Sequence, residues 1–329
     1  MPSGGDDGSA PLTARFEAAL PEHRPEILRA LTDPVAVEHF AAQRHGVAWK
    51  PRFDVAIPEL AASALVLMVK DEGDIISQNL EHHHALGFRR FFLLDNASTD
   101  DTAARIASFR AAHGDALVFC AYDPIVGYYQ QTKTNALRAF AQAYLLHEQP
   151  PLDWIFFVDA DEFITCCAAD GDRSRDAFRS TLADRDQKVM VFHWVQCASV
   201  KPIQSLTGDY KPQDVFDRRW HKLDPAVPKV SFRAGEGIGT TQGNHITAAY
   251  PYAIGQATVM AGAGFYLLHY PMRSIEQLRR KITNGGRAYE GIGSLADFGG
   301  HWKQYYSWLQ ERGDAVLLNL LLEHIKSCA

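Results

Sequence analysis

The chain is short of cysteine. It has five in 329 residues (Cys120, Cys166, Cys167, Cys197 and Cys328), an odd number with no Cys-x-x-Cys pair. That excludes a disulfide scaffold and a thiolate zinc site, and it fits a reducing compartment. An excess of basic charge is also lacking. With 33 Lys and Arg against 39 Asp and Glu, the formal net charge is −6, which disfavours nucleic acid as the main partner. No uninterrupted apolar run approaches the ~18 residues of a transmembrane segment. The longest candidate, Gly255 to Leu268, is broken by Gln256, Thr258 and three glycines, and reads as buried strand and turn. The start, MPSGGDDGSAPL, has neither the basic nor the apolar region of a secretory signal. The expectation is a soluble cytoplasmic protein, at most peripheral at a membrane. No internal repeat is visible.

What is present is ordinary for a folded protein: 47% hydrophobic and 22% charged residues, with length enough for one large α/β domain plus additions. Residues 1–10 read as a disordered leader. Residues 11–62 read as a helical accessory segment, broken by prolines at 21, 25, 34, 51 and 58. From residue 63 the texture changes. Four continuous apolar runs of strand length follow: Ala64–Val69, Phe91–Leu94, Ala116–Ala121 and Trp154–Val158. Continuous rather than alternating apolar residues predict strands covered on both faces. Helical patterns lie between them over Asp74–Leu86, Asp100–Ala112 and Thr132–His147. Strand–helix alternation of this length predicts βαβ units and a mostly parallel central sheet flanked by helices. In such sheets ligands sit beyond the carboxyl ends of the strands. Past Val189 the pattern is irregular, with helices expected at Ser274–Lys281 and Ala315–Ile325.

The polar clusters fall at those strand ends. After the WIFFV run comes Asp159-Ala160-Asp161-Glu162-Phe163. Two carboxylates at i and i+2, leaving a buried strand, can converge on a hard cation such as Mg²⁺ or Mn²⁺, which in turn bridges diphosphate oxygens. The competing explanation is a capping turn that opens a helix. The first strand runs into Lys70-Asp71-Glu72 and the second into Asp95-Asn96-Ala97-Ser98-Thr99-Asp100. Asp95 is placed to accept from a ribose hydroxyl or a base N–H, whereas Ser98, Thr99 and Asp100 suit a cap. Lys133 and Asn135 open the third helix, where its N-terminus favours phosphate. The run His82-His83-His84 does not mark a metal site, because adjacent helical residues point about 100° apart; it reads as a packing face. Cys166-Cys167 reads as small buried packing.

Together these residues resemble the family-2 type of glycosyltransferases with the GT-A nucleotide-sugar-binding fold. The closest subgroup carries a Lys/Arg-x-Glu motif, here Lys70-Asp71-Glu72, then Asp95 to Asp100 and the Asp159 to Phe163 motif. A downstream His269-Tyr270-Pro271-Met272-Arg273-Ser274, followed by Lys281, is similar to its His-Tyr signature. The resemblance covers residues 63–290, as a nucleotide-binding half (63–190) and an acceptor half (191–290), leaving 291–329 as a helical extension. It implies a metal-dependent, inverting transfer from a nucleotide-diphosphate sugar, with UDP the favoured nucleotide, to an acceptor hydroxyl. It places Lys70, Glu72, Asp95, Lys133, Asn135 and Asp159 at the nucleotide sugar. Asp159 and Asp161 fall at the divalent metal, with His269 favoured over His245 to complete its site. A carboxylate must remove the acceptor proton. Glu236, in RAGEGIG, is the choice over Asp209 and Asp214. Two other classes stay open: a metal-dependent phosphoryl-transfer or phosphatase enzyme, and a non-catalytic nucleotide-sugar scaffold.

Charge is divided unevenly. Residues 61–200 carry 12 basic and 19 acidic groups, whereas residues 201–329 carry 15 and 11. The acidic stretch is the expected cation-holding half. The basic stretch would face the diphosphate or a glycan, lipid-linked or protein acceptor; an anionic acceptor fits that charge.

Overall fold

The computed structural model describes residues 51–125, 129–199, 203–207, 209–220, 228–235, 239–245, 247–248, 257–290 and 300–328. The expected leader and most of the accessory segment, as well as Glu236, lie outside the described residues.

The four apolar runs form strands β1 (Ala64–Val69), β2 (Arg90–Asp95), β3 (Leu117–Tyr122) and β4 (Trp154–Phe157), paired parallel in the order β3-β2-β1-β4. Helices α1 (Ile76–Leu86), α2 (Thr102–Ala112) and α3 (Gln130–Tyr144) provide the crossovers. Gly87 ends α1 at φ 134°, where a Cβ would lie 2.1 Å from the Ile57 carbonyl oxygen; only glycine permits that approach. On α3, Leu137 is buried, as is Leu145 just past its end, whereas Phe140 and Tyr144 are exposed.

Beyond β4 the expected parallel pattern fails. Asp161 and Glu162 do not cap a helix; Glu162 opens a fifth strand, β5 (Glu162–Cys166), and α4 (Gly171–Ala183) follows. The sheet continues through β6 (Val189–Ala198), β8 (Pro228–Arg233) and β12 (Phe265–His269), while the short β7 (Arg218–Trp220) and β11 (Ala257–Val259) flank β6. A small separate ribbon pairs β9 (Gly239–Thr240) with β10 (Thr247–Ala248). The pairings β4–β8, β8–β6, β6–β7 and β12–β5 are antiparallel, so the sheet is mixed rather than mostly parallel. Of these four pairs only β6 and β7 are consecutive in the chain; the others join strands distant in sequence.

In pairing order β5 stands four strands from β4, yet only Val158–Asp161 joins them. Flat strands about 4.8 Å apart would put that gap near the limit of so short a link, so the sheet curls at this turn. The carboxylates therefore sit where the two halves of the sheet fold toward each other. The expected helix at Ser274 runs further, as α5 (Ile275–Glu290), with α6 (Gly300–Arg312) and α7 (Ala315–Cys328) packed beside it around Ile275, Leu278, Ile282, Leu317 and Leu322. No helix among the described residues is long and apolar enough to cross a membrane.

Candidate active site

The turn from β4 to β5 is fixed from below by α1. Asn79, fully buried, donates through Nδ2 to the carbonyl oxygens of Asp159 (3.3 Å), Ala160 (3.0 Å) and Glu162 (2.8 Å). One amide thus gathers three carbonyls of the chain reversal, of which that of Asp159 also accepts from the Glu162 N–H at 3.0 Å. The histidine run completes the clamp. His82 Nε2 donates to the Ile164 carbonyl at 2.7 Å, and His83 Nε2 accepts from the Ile164 N–H at 3.3 Å. Burial lowers His82 to about 4 and His83 well below the ordinary value, so both are neutral scaffold groups, as the sequence reading has it. His84 points elsewhere, to Asp115 at 3.0 Å.

Above the clamp the two aspartates face different partners. Asp159, a third exposed, accepts from Gln130 Nε2 at 3.0 Å and from Lys229 Nζ at 2.7 Å. Asp161 is buried, with Lys281 Nζ 2.5 Å from Oδ2, Arg273 Nη1 3.6 Å from Oδ2 and His269 Nε2 3.7 Å from Oδ1. Burial alone would raise its carboxyl, but the charges of Lys281, His269 and Arg273 outweigh it and hold Asp161 well below the usual carboxylate range. Glu162, also buried, accepts from the Asp159 N–H (2.8 Å) and Trp194 Nε1 (2.7 Å); burial pushes it up to about 8 against the pull of Lys229.

Arg273 links this turn to the Lys70-Asp71-Glu72 loop. Its side chain is fully buried and forks onto Asp74 (2.7 and 2.9 Å), with further bonds to Glu72 and the Tyr270 carbonyl. A planar guanidinium with five donors suits this convergence, and a lysine would not. Burial raises Glu72 to about 7 even though Arg273 opposes it.

The remaining expected residues are distributed around the loops. Lys70 Nζ donates to the carbonyls of Asn96 (3.3 Å) and Ala97 (2.8 Å), tying the ends of β1 and β2. Asp95 is buried and accepts from the Ser98 N–H at 2.9 Å. Asp100 behaves as a cap toward Thr102 N (3.0 Å) but also accepts from Gly73 N (3.0 Å). Lys133 pairs with Asp123 (2.7 Å) and Asn96 (2.6 Å). The Asn135 side chain is taken up by the Thr240 backbone, donating at 2.9 Å and accepting at 3.0 Å. His245 is turned to the Pro228 carbonyl (2.9 Å), with Trp194 standing between it and His269.

The fit to a divalent cation is therefore narrow. Asp161 Oδ1 and His269 Nε2 are close enough to share one ion, and His269 Nδ1 is buried without a hydrogen-bond partner. Asp159 and His245 face other groups. Two protein donors suffice for Mg²⁺ or Mn²⁺, which keep several waters and take phosphate oxygens. The one trio of donor atoms that converges among the described residues, His84, His113 and Asp115, lies away from this turn. It is part of an ionic network between α1 and α2 that includes Arg89–Asp115 at 2.7 Å and His113–Glu81 at 2.9 Å.

Sequence reasoning missed Asn79, Gln130, Trp194 and Lys229. Lys229 left a faint signal: with Arg233 it is one of two charges in the strand PKVSFR, and a lysine is buried in a strand only when paired.

No protein-family model matches the chain, and no curated protein matches it. Solved structures do. One is the mannosyltransferase PcManGT from Pyrobaculum calidifontis in complex with GDP-Man and Mn²⁺, at 16% identity and TM-score 0.29 over 57% of this chain. The chain spans about half of that structure's length, 48%. Another is TarS 1–349 of S. aureus, at 14% identity and TM-score 0.38 over 80% of this chain and 87% of that one. The same protein in complex with UDP matches at 13% identity and TM-score 0.37 over the same shares. At this level the likeness gives no residue a role.

Proposed function

We propose that the chain is a glycosyltransferase that moves a sugar from a nucleoside-diphosphate sugar, with UDP the favoured nucleotide, to an acceptor hydroxyl with inversion at the anomeric carbon. One observation carries the reading. At the carboxyl end of β4, a buried carboxylate is flanked by an imidazole and by the cations of Lys281 and Arg273, with the ends of β1 and β2 alongside. Such a place holds a diphosphate by charge and a nucleoside by the neighbouring strand ends.

Asp161 and His269 would hold the divalent ion, Mn²⁺ or Mg²⁺. When bound, that ion would offset charge on the departing nucleoside diphosphate. Asp95 and Glu72 line the nucleoside side, while Lys70, Lys133 and Asn135 fix the loops that shape it. Asp159, held by Lys229 and Gln130, presents its exposed edge to the sugar. Glu236, which follows β8 in sequence, is the proposed base that takes the acceptor proton. The basic C-terminal stretch favours an anionic acceptor, such as a phosphorylated lipid carrier or an acidic glycan. Residues 63–290 would form the transferase domain.

Incubating the purified protein with a panel of nucleotide sugars and Mn²⁺ tests the reading. Slow donor hydrolysis, with calorimetric binding of UDP, is expected. Phosphate release from simple phosphoesters without UDP binding would instead make it a phosphatase.

A further inference from the structure

Three cations surround the Asp159–Glu162 turn, and they are not equivalent. Lys229 and Arg273 are sealed, with side chains 1% and 0% exposed. Lys229 is held between Asp159 and Glu162 at 2.7 and 3.3 Å. Arg273 is held by Asp74, Glu72 and the Tyr270 carbonyl, so neither group can leave without stranding buried charge. Lys281 differs. Its side chain is 23% exposed, and its strong contact is Asp161 Oδ2 at 2.5 Å, supplemented by a long bond to the Pro271 carbonyl at 3.4 Å. It stands in the second turn of α5, on a flexible four-carbon stem, with the Trp302 ring 6.0 Å away. The other oxygen of the same carboxylate faces His269 Nε2.

One carboxylate thus has two claimants. A divalent ion between Asp161 Oδ1 and His269 would bring two positive charges beside an ammonium already paired with Oδ2. Like charges so close oppose one another strongly where water is scarce. The repulsion is relieved if the ammonium turns outward, and the nearest anion would then be the diphosphate arriving with the ion. We propose that Lys281 is a mobile counter-charge, which holds Asp161 in the free protein, competes with the divalent ion for it, and passes to the diphosphate when ion and nucleotide enter together. This rests on the nucleotide-sugar reading of the site. Its consequence is that metal alone binds poorly, and metal and nucleotide bind synergistically.

The test is a titration of the full chain with Mn²⁺, reading free ion by electron paramagnetic resonance, with and without UDP. In Lys281→Met the affinity for Mn²⁺ alone should rise on the order of tenfold, while UDP affinity at saturating Mn²⁺ falls by a similar factor. A residue with only a structural role would weaken both. Lys281→Arg, which keeps the charge, should leave Mn²⁺ alone weakly bound. Unchanged or weaker binding of Mn²⁺ alone to a folded Lys281→Met protein overturns the proposal. Should that variant fail to fold, the wild type still decides, because equal Mn²⁺ affinity with and without UDP also overturns it. If UDP fails to bind the wild type at any Mn²⁺ concentration, the nucleotide reading and the transfer to diphosphate fall. The shift in Mn²⁺ affinity alone still decides the competition.

Discussion

The half of the sheet built from β1 to β4 and the half built from β5, β6, β8 and β12 differ in strand direction and in the charge they bring to the site. The first is parallel, and its strand ends supply Glu72, Asp74, Asp95, Asp159 and Asp161. The second is largely antiparallel. With α5 it supplies Lys229, His269, Arg273 and Lys281. Most of the acid comes from one side of the seam and the base from the other, Glu162 of β5 being the exception, and each buried carboxylate at the turn is matched by a cation more than 65 residues away in sequence. Neither half can keep its charges buried without the other. The site is thus an electrostatic joint as well as a candidate catalytic centre.

Cutting the joint at its centre should have the largest effect. Asp161→Ala removes the proposed ion ligand and leaves Lys281 and Arg273 without that partner. Calorimetric binding of UDP with Mn²⁺ should fall at least about a hundredfold, the loss of a charge-assisted ligand in a buried site. Unchanged binding would move the donor site elsewhere. Arg273→Met cuts the joint on the basic side. It strands Glu72 and Asp74, and should cost about 3–5 kcal/mol in chemical denaturation, as breaking a buried ion pair does. Arg273→Lys should rescue little of that, because the fork onto Asp74 needs two donors in one plane. A rescue by lysine would mean that charge alone matters here. A smaller effect should separate the two histidines. His269→Ala should weaken Mn²⁺ binding in the presence of UDP on the order of tenfold or more, and His245→Ala much less, since His269 lies 3.7 Å from Asp161 whereas the Trp194 ring packs against both histidines and separates His245 from that pair. The opposite order would transfer the ligand role to His245.

The two halves were also unequally legible. Strands β1, β2 and β4 were read within a residue or two, because a strand buried on both faces is written as an uninterrupted apolar run; β3 was read as closely, although it stands at the sheet edge and only its Val118 is buried. Strand β5 was not, because EFITC begins with a glutamate whose burial depends on Trp194 and Lys229, partners distant in sequence. The mixed pairing was hidden for the same reason: the strands of the second half pair with neighbours distant in sequence, and no local pattern encodes that choice. At the site, motif residues adjacent in sequence were visible. What holds them was not, for Asn79, Gln130 and Lys229 are isolated residues on elements whose pattern says only helix or strand. The basic stretch after residue 200 is expected to face the diphosphate or an acceptor; within it Arg273 is buried as a clamp on Glu72 and Asp74, 3.6 Å from Asp161, and Lys281 makes the closer contact with that carboxylate.

A last difference, between the α1 scaffold and the site above it, is in how they respond to acid. On the scaffold side, His82 and His83 have folded values below the ordinary 6.5, about 4 and lower still. The unfolded chain therefore takes up protons below pH 6.5 that the folded chain refuses, and stability is lost as pH falls through that window. At the site, Glu72 has the opposite sign. Its folded value is raised from 4.5 to about 7, so its contribution is full below 4.5 and lost as pH rises through 7. Between pH 4.5 and 6.5 the two histidines are opposed by Glu72 and by Glu162, whose folded value is likewise raised, to about 8, and the wild type should show little slope from these four groups. Glu72→Gln removes one of the two compensating carboxyls. Denaturation midpoints of that variant should fall more steeply than those of the wild type on acidification from pH 6.5 to 4.5. The added slope should be at most about 1.4 kcal/mol per pH unit, the linkage of a single proton. An unchanged slope would mean that the Arg273 pair keeps Glu72 ionised, and that the joint is closed by full charges on both sides.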